Sequence, residues 1–487
     1  MLFNSLEFLI FFPLVCILYF LIPHKFRPLM LLVASCLFYM AFIPSYILIL
    51  AFTIIVDYFA GRLIAKSEGR IRKIYLLISL LANIGVLVIF KYSGFISANI
   101  NLLAKLFDLS YPLPILDIIL PIGLSFHTFQ AMSYTIEVYK EKQEAEINFV
   151  NFAVYVMFFP QLVAGPIERP QNLLHQFYEL HNFEYQKAAD GLKLIVWGMF
   201  KKVVIADRLA VVVNNVYNSP TDFIGPQLLL ATVFFAFQIY CDFSGYSDIA
   251  VGSARVLGFS LTNNFNRPYH SKSISEFWRR WHISLSTWFR DYVYIPLGGS
   301  RVKKCRWEFN LFVTFIISGL WHGANWTFVI WGGLHAFYYL FSIWTKKFRE
   351  FLAETLQLKQ HIKLNNLINV TTVFTLVCVA WIFFRSQNID DALYILTHLT
   401  TGFGELFNIS NLESKFHELG ISRYEFLIVL GSIAVMEYTH FLQRNGSIIK
   451  MLYNKPLYFR WVLYYGLVVV TLLFGVYNKS QFIYFQF

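Results

Sequence analysis

The chain has 487 residues, of which 57% are hydrophobic and 14% charged. About a quarter of a soluble domain is charged, so these proportions exclude a soluble globular protein and indicate a multi-pass membrane protein. The net charge of +11 then belongs to basic loops facing the cytoplasm, not to a nucleic-acid surface.

Apolar segments lie near 6–23, 29–43, 45–60, 75–92, 114–136, 148–164, 188–214, 226–257, 309–344, 367–384, 424–443 and 460–477. A crossing needs about 20 apolar residues and several segments allow two passes, which predicts roughly 10 to 13 embedded helices, some re-entrant. MLFNSLEFLIFFPL has neither a basic leading region nor a small-residue cleavage site, so the first segment is expected to stay as a helix. Basic residues concentrate in HKFRP (24–28), GRLIAKSEGRIRK (61–73), SRVKKCR (300–306) and TKKFR (345–349). With these inside and Pro44 at an outer turn, the N-terminus falls outside. The polar stretch 403–423 is short and no repeat is evident, so residues 1–487 read as one integral membrane domain. Cys16, Cys36, Cys241, Cys305 and Cys378 are scattered with no CxxC pair, so no metal site or disulfide framework is expected. Walker A, GxGxxG and GxSxG patterns are absent, which leaves ATP, dinucleotide and α/β-hydrolase chemistry unsupported.

Polar residues interrupt the apolar pattern at five places. PIGLSFHTFQAMSYTIEVY (121–139) carries His127 and Gln130, suited to helix–helix hydrogen bonds. FFPQLVAGPIERP (158–170), with three prolines, reads as an irregular link ending in Glu168 and Arg169. QIYCDFSGYSDIAVG (238–252) brings Asp242, Ser244 and Asp248 into an apolar segment. Carboxylates at such depth need partners, and Arg255 or the arginines of 279–290 are the candidates. SISEFWRRWHISLSTWFRDYV predicts an amphipathic helix capped by Ser275, with Trp278, Trp281, Leu285 and Trp288 on one face. It serves either as an interfacial anchor or as a re-entrant element lining a cytoplasmic cavity, and His282 lies within it. SGLWHGANW (318–326) places His322 deep in a run free of Asp, Glu, Lys and Arg from Phe309 to Thr345. Ionisable groups there either bond between helices or mark function, and a neutral imidazole can serve as a general base. Gly319 and Gly323 allow a neighbouring backbone to approach closely.

QIYCDFSGYSDIAVG, NFNRPYHSKSISEFWRRWHISLSTWFRDYVYIPLGG and SGLWHGANWTFVIWGGLHA together resemble the membrane-bound O-acyltransferase (MBOAT) family. The likeness is to its bacterial branch of alginate O-acetylation proteins and peptidoglycan O-acetyltransferases. PIGLSFHTFQAMSYTIEVY and WIFFR (381–385) are similar to that branch too, clearest over 121–390, while 391–487 carries C-terminal transmembrane helices without a diagnostic motif. The resemblance implies an all-α polytopic bundle around a funnel or tunnel, with re-entrant and interfacial helices. It implies transfer of an acyl group, acetyl above all, from a cytoplasmic thioester (acetyl-CoA or an acyl carrier protein) towards hydroxyls of an extracytoplasmic polysaccharide. No bound cofactor is implied. A separate extracytoplasmic acyltransferase partner is, because the chain has no soluble domain. The family's histidine in an apolar segment maps onto His322, and its second polar position onto His282. Asp242, Ser244, Trp281, Arg290 and Asn325 are the accompanying candidates for substrate binding. The location implied is the bacterial cytoplasmic membrane. D-alanyl transfer to a teichoic-acid-type polymer, transport of the donor without bond formation, and a scaffold that only recruits partner enzymes are the alternatives.

Overall fold

A computed structural model describes the chain except residues 109–112, 115–120, 164, 405–416, 478–481 and 484–487, and the side chain of Asn445. Part of the predicted 114–136 segment and much of the polar 403–423 stretch therefore lie outside the described residues. Among the described residues every element is helical. That follows from the solvent: in lipid a helix satisfies its backbone hydrogen bonds internally, whereas an open sheet edge cannot.

The chain divides into two compact units. The first comprises Met1–Ile195 and Tyr246–Thr262. It holds α1 (Leu6–Leu21), α2 (Arg27–Met40), α3 (Ile47–Lys66), α4 (Gly69–Leu87), α5 (Ser93–Leu106), α6 (Leu124–Tyr139) and α7 (Phe149–Met157), and α8 (Tyr185–Met199) begins in it. The turns at His24–Phe26 and Pro44–Tyr46 separate α1, α2 and α3 where the basic and proline signals predict. Arg27 is nonetheless buried, its guanidinium donating to the carbonyls of Ile22 and His181. Gln130 bonds between α6 and α7 as expected, donating to the Tyr155 carbonyl. His127 does not: neither ring nitrogen has a hydrogen-bond partner among the described residues. The proline-rich link holds one helical turn, Phe159–Leu162, and its buried Glu168 accepts from both the backbone and the hydroxyl of Thr262.

The second unit comprises Val196–Gly245 and the described residues from Asn263 to Ile483. It contains α9 (Asp207–Asn218), most of α10 (Gly225–Val256), α11 (Ile274–Arg280), α12 (Ile283–Phe289), α13 (Lys304–His322), α14 (Trp326–Trp344), α15 (Ile362–Arg385), α16 (Ile389–His398), α17 (Arg423–Leu442) and α18 (Leu457–Phe474). Six helices among the described residues are long and apolar enough to cross a membrane unaided: Pro44–Lys66, Gly69–Leu106, Gly225–Val256, Ile362–Arg385, Arg423–Leu442 and Leu457–Phe474. This is fewer than the roughly 10 to 13 embedded helices that apolar length alone predicts. The remainder are shorter or carry more polar residues, as α13 and α14 do. The apolar stretch of α10 is 78% buried and that of α18 only 6%, so α10 is an interior helix and α18 a peripheral one with side chains turned to lipid.

The single amphipathic helix predicted over SISEFWRRWHISLSTWFRDYV (273–293) is in fact two. Ser273, not Ser275, caps α11 by accepting from the Glu276 amide at 3.1 Å. The helix stops at Trp281 and restarts after His282, whose backbone is left-handed (φ 42°, ψ 58°). Trp281, Leu285 and Trp288 are buried as the predicted face requires.

α13 and α14 form a tight antiparallel hairpin. A Cβ added to Gly319 would run into the Phe328 carbonyl oxygen, and one on Gly332 into that of Phe315. The two backbones thus meet with no side chain between them, as small residues permit within membranes. Gly319→Ala is expected to force this crossing apart and cost about 1–3 kcal/mol, the usual range for overpacking. Thermal unfolding in detergent would read this, and an unchanged melting temperature would mean that the hairpin yields freely.

Candidate functional site

His322 is the last residue of α13 and is 3% exposed. Gly323 follows in extended conformation, and an added Cβ there would strike the Phe328 ring. Asn325 then caps α14, its side-chain oxygen accepting from the Thr327 amide at 3.0 Å and its side-chain nitrogen donating to the Gln387 carbonyl at 2.9 Å. The sequence HGAN is thus a compact reversal that delivers one imidazole to the inner end of a hairpin. Both polar ends of Asn325 serve that reversal.

Aromatic rings enclose His322. Its ring centroid lies 4.9 Å from that of Trp321, 5.0 Å from Trp331 and 5.2 Å from Phe384, all in edge-on geometry. His282 also neighbours Trp321, 6.3 Å from it, and lies 4.5 Å from Phe243. The two histidines therefore share one indole as a wall. The break that presents His282 is held by Asn264, whose carbonyl accepts from the Ile283 amide at 3.0 Å and whose side-chain oxygen accepts from the Ser284 amide at 3.1 Å. A left-handed conformation is uncommon for a residue other than glycine, and such strain concentrates at functional positions. The aromatic walls exclude water, which strengthens any proton transfer or dipolar contact made inside.

Asp242 and Ser244 belong to a separate polar cluster in the same unit. Lys202, itself buried, bridges Asp242 and Asp207, with 2.8 Å to each carboxylate. Neither Arg255 nor an arginine of 279–290 makes this pair, contrary to expectation, because Lys202 neutralises both carboxylates at closer range. The second Asp242 oxygen accepts from the Ile483 amide at 2.8 Å, which ties the C-terminal tail to α10. Lys201 donates to Ser244 at 2.9 Å. Both lysines lie in a π-helical turn, Phe200–Ala206, a wider winding that often occurs at functional places.

Trp281 is buried in an aromatic core, 5.2 Å from both Phe265 and Trp381. Arg290 is not brought to the histidines. Its guanidinium is exposed and donates to Asp291 at 2.7 Å. Sequence reasoning missed Lys201, Lys202, Asp207 and Asn264. The paired lysines in the middle of the apolar stretch KLIVWGMFKKVVIADRL were the available signal, since cations there require buried anions.

The model of the family described as membrane-bound O-acyltransferase matches residues 124–385, which include both histidines, the Lys202 cluster and the α13–α14 hairpin. The chain belongs to the membrane-bound O-acyltransferase family. It is 39% identical over 396 residues to the probable alginate O-acetylase AlgI of Azotobacter vinelandii, covering 80% of this chain and 76% of that protein. It is 33% identical over 466 residues to the peptidoglycan O-acetyltransferase of Helicobacter pylori, covering 86% and 85%. Against the teichoic acid D-alanyltransferase of Bacillus subtilis it is 30% identical over 246 residues, covering 47% and 61%. The chain is thus a multi-pass membrane O-acyltransferase that uses an acyl donor. Membership in this family gives the His322 enclosure a chemical context: an imidazole among rings, in an enzyme that moves an acyl group to an oxygen.

Proposed function

We propose that this acyltransferase moves an acetyl group from a cytoplasmic thioester to the hydroxyls of an extracytoplasmic polysaccharide, with His322 as general base. The observation that carries the proposal is the enclosure of His322 by Trp321, Trp331 and Phe384 at the inner end of a hairpin whose remote ends carry Lys303, Lys304, Arg306, Lys346, Lys347 and Arg349. Basic ends of this kind face the cytoplasm and attract an acidic donor, either acetyl-CoA or an acyl carrier protein. The acceptor oxygen attacks the thioester carbonyl carbon, a C–O bond forms and the C–S bond breaks. His322 takes the hydroxyl proton and returns it to the departing sulfur. His282, beside the shared Trp321, positions the thioester. In this reading Asp242 and Ser244 act by fixing the interior of the unit, and Asn325 by fixing the reversal after His322. In the same reading Arg290, exposed and paired with Asp291, lies at the bilayer surface. Acetyl is favoured over D-alanyl because the acetylating relatives align over 80% or more of the chain and the D-alanyl relative over 47%. The acceptor belongs to the polysaccharide class that includes alginate and peptidoglycan, and a separate extracytoplasmic protein completes delivery. The N-terminus faces outward across the bacterial cytoplasmic membrane.

The test is the full-length protein in vesicles given acetyl-CoA, or acetylated carrier protein, with the acceptor or partner on the far side. Release of the free thiol is expected. His282→Ala is expected to cut turnover by on the order of tenfold to a hundredfold, below the loss of a full acid–base group, at normal membrane levels. Passage of intact donor without thiol release would instead establish transport. Wild-type turnover in His282→Ala would return that residue to a structural role.

A further inference from the structure

The α17 sequence EYTH, 437–440, sets a carboxylate and an imidazole three residues apart, on one face of the helix. A second imidazole, His270, reaches them from the turn Pro268–His270 that precedes α11. Glu437 stands between the two rings. One of its oxygens is 2.7 Å from His270 Nε2 and the other is 3.2 Å from His440 Nδ1. Each of the three residues offers one ligand atom, and these atoms lie within 4.8 Å of one another. The acyl-transfer mechanism proposed above uses none of them.

The outer ring nitrogens are held as well. His440 Nε2 and the hydroxyl of Tyr240, on α10, are 3.0 Å apart, and His270 Nδ1 accepts from the Arg444 guanidinium at 3.2 Å. A metal-bound imidazole almost always donates its second N–H to an outer partner, which fixes the tautomer. Tyr240 suits that role for His440, because its oxygen can accept from Nε2 while Nδ1 turns its lone pair to an ion. Arg444 does not suit it, because a guanidinium only donates. Its side chain is exposed, however, and can swing into solvent when an ion takes His270 Nε2 and leaves the ring proton on Nδ1.

Two imidazoles and a carboxylate are a donor set for a divalent transition metal, zinc above all. Magnesium and calcium take oxygen ligands instead. A Glu-x-x-His pair on one helix is a recurrent way to present two such ligands inside helical bundles. Ligand atoms around tetrahedral zinc are about 3.3 Å apart. The carboxylate pairs, at 2.7 and 3.2 Å, therefore need only small adjustments. His440 is buried, while His270 and Glu437 keep 23% and 31% of their side chains exposed, which gives the ion an entry path and leaves a fourth position for water. The scattered cysteines predicted no metal site, and none of these ligands is a cysteine.

We infer that His270, Glu437 and His440 bind one divalent transition metal, with zinc the preferred ion. The ion ties α17 to the segment that runs through α11 to the break at His282. It is a clip on the framework and takes no part in acyl transfer.

The experiment uses the full-length protein in nanodiscs, stripped with chelator and freed of any histidine tag. Zinc and magnesium binding are measured by calorimetry for wild type, Glu437→Gln, His270→Gln, Tyr240→Phe and Arg444→Ala. Wild type is expected to take up a single zinc and to ignore magnesium. Glu437→Gln and His270→Gln are expected to weaken zinc by on the order of a hundredfold, and Tyr240→Phe, which removes only an outer partner, by about tenfold. Arg444→Ala is expected to tighten zinc, because the donor that competes for His270 is gone. Zinc is expected to raise the melting temperature of wild type and not that of His270→Gln. Cobalt(II) in place of zinc is expected to give wild type the visible absorption of a four-coordinate nitrogen–oxygen site, a reading that needs no variant. Absence of stoichiometric zinc uptake by wild type overturns the inference. So does unchanged zinc affinity in Glu437→Gln and His270→Gln, which places the ion elsewhere. Should either of those variants fail to fold, the cobalt spectrum of wild type and the exposed Arg444→Ala change decide: no four-coordinate spectrum, or unaltered zinc affinity in Arg444→Ala, overturns it.

Discussion

Replacing His322 with alanine is expected to lower O-acyl transfer by on the order of a hundredfold to ten-thousandfold, the usual contribution of a positioned acid–base group. The protein itself should still fold and reach the membrane. His322 ends a helix, and its neighbours Trp331 and Phe384 also pack on one another and on Trp381, which leaves that wall standing when the imidazole goes. Asparagine or glutamine in its place should restore a polar contact but not the proton transfer, so neither should rescue activity. The measurement is O-acyl ester content of the envelope polysaccharide, normalised to protein in the membrane fraction. Undiminished ester with His322→Ala at wild-type levels would remove His322 from the mechanism.

The second large effect is on folding. Lys202→Met is expected to destabilise the protein by about 3–5 kcal/mol, because it strands two carboxylates in a low-dielectric interior. Asp207 and Asp242 then face each other without the ammonium that now sits 2.8 Å from each. The Asp242 contact that holds Ile483 is weakened at the same time. Neutralising both acids as well, in Lys202→Met/Asp207→Asn/Asp242→Asn, should return most of the loss, since an uncharged trio carries no such penalty. Melting curves in detergent for the single and triple variants decide this. A single variant as stable as wild type would show that the trio carries no structural weight.

Much of this was legible in the sequence because lipid is a strict solvent. Low charge and long apolar runs left only helices, and an imidazole in a charge-free run marked His322. The close backbone approach at SGLWHGANW was likewise legible from its glycines, whereas Asn325, read as a substrate-binding candidate, is the cap of the following helix. The break at His282 was not. Apolar periodicity runs unbroken through 275–288, and a left-handed residue that is neither glycine nor asparagine leaves no local signal. The Asn264 clamp that holds it comes from eighteen positions earlier in the chain, beyond the reach of pattern. Asp242 was singled out correctly as needing a cation, yet its partner was sought among arginines downstream. Lys202 lay in the middle of an apolar stretch further upstream, with nothing in the spacing to link it to Asp242. Arg290 shows the reverse error: its place in a Trp- and Arg-rich motif made it conspicuous, and in three dimensions it turns outward to Asp291.

The glycine crossing of α13 and α14 also bears on how the enzyme meets its bilayer. Membranes differ in thickness, and a helix accommodates the difference by tilting. Where two helices touch through flexible side chains, tilt changes their separation and shifts whatever sits between. Here Gly319 and Gly332 lock main chain to main chain, and the reversal after His322 is closed by the Asn325 cap. The hairpin therefore tilts as one body, and the spacing of His322 to Trp331 is carried along unchanged. Turnover should accordingly vary little with acyl-chain length in reconstituted vesicles.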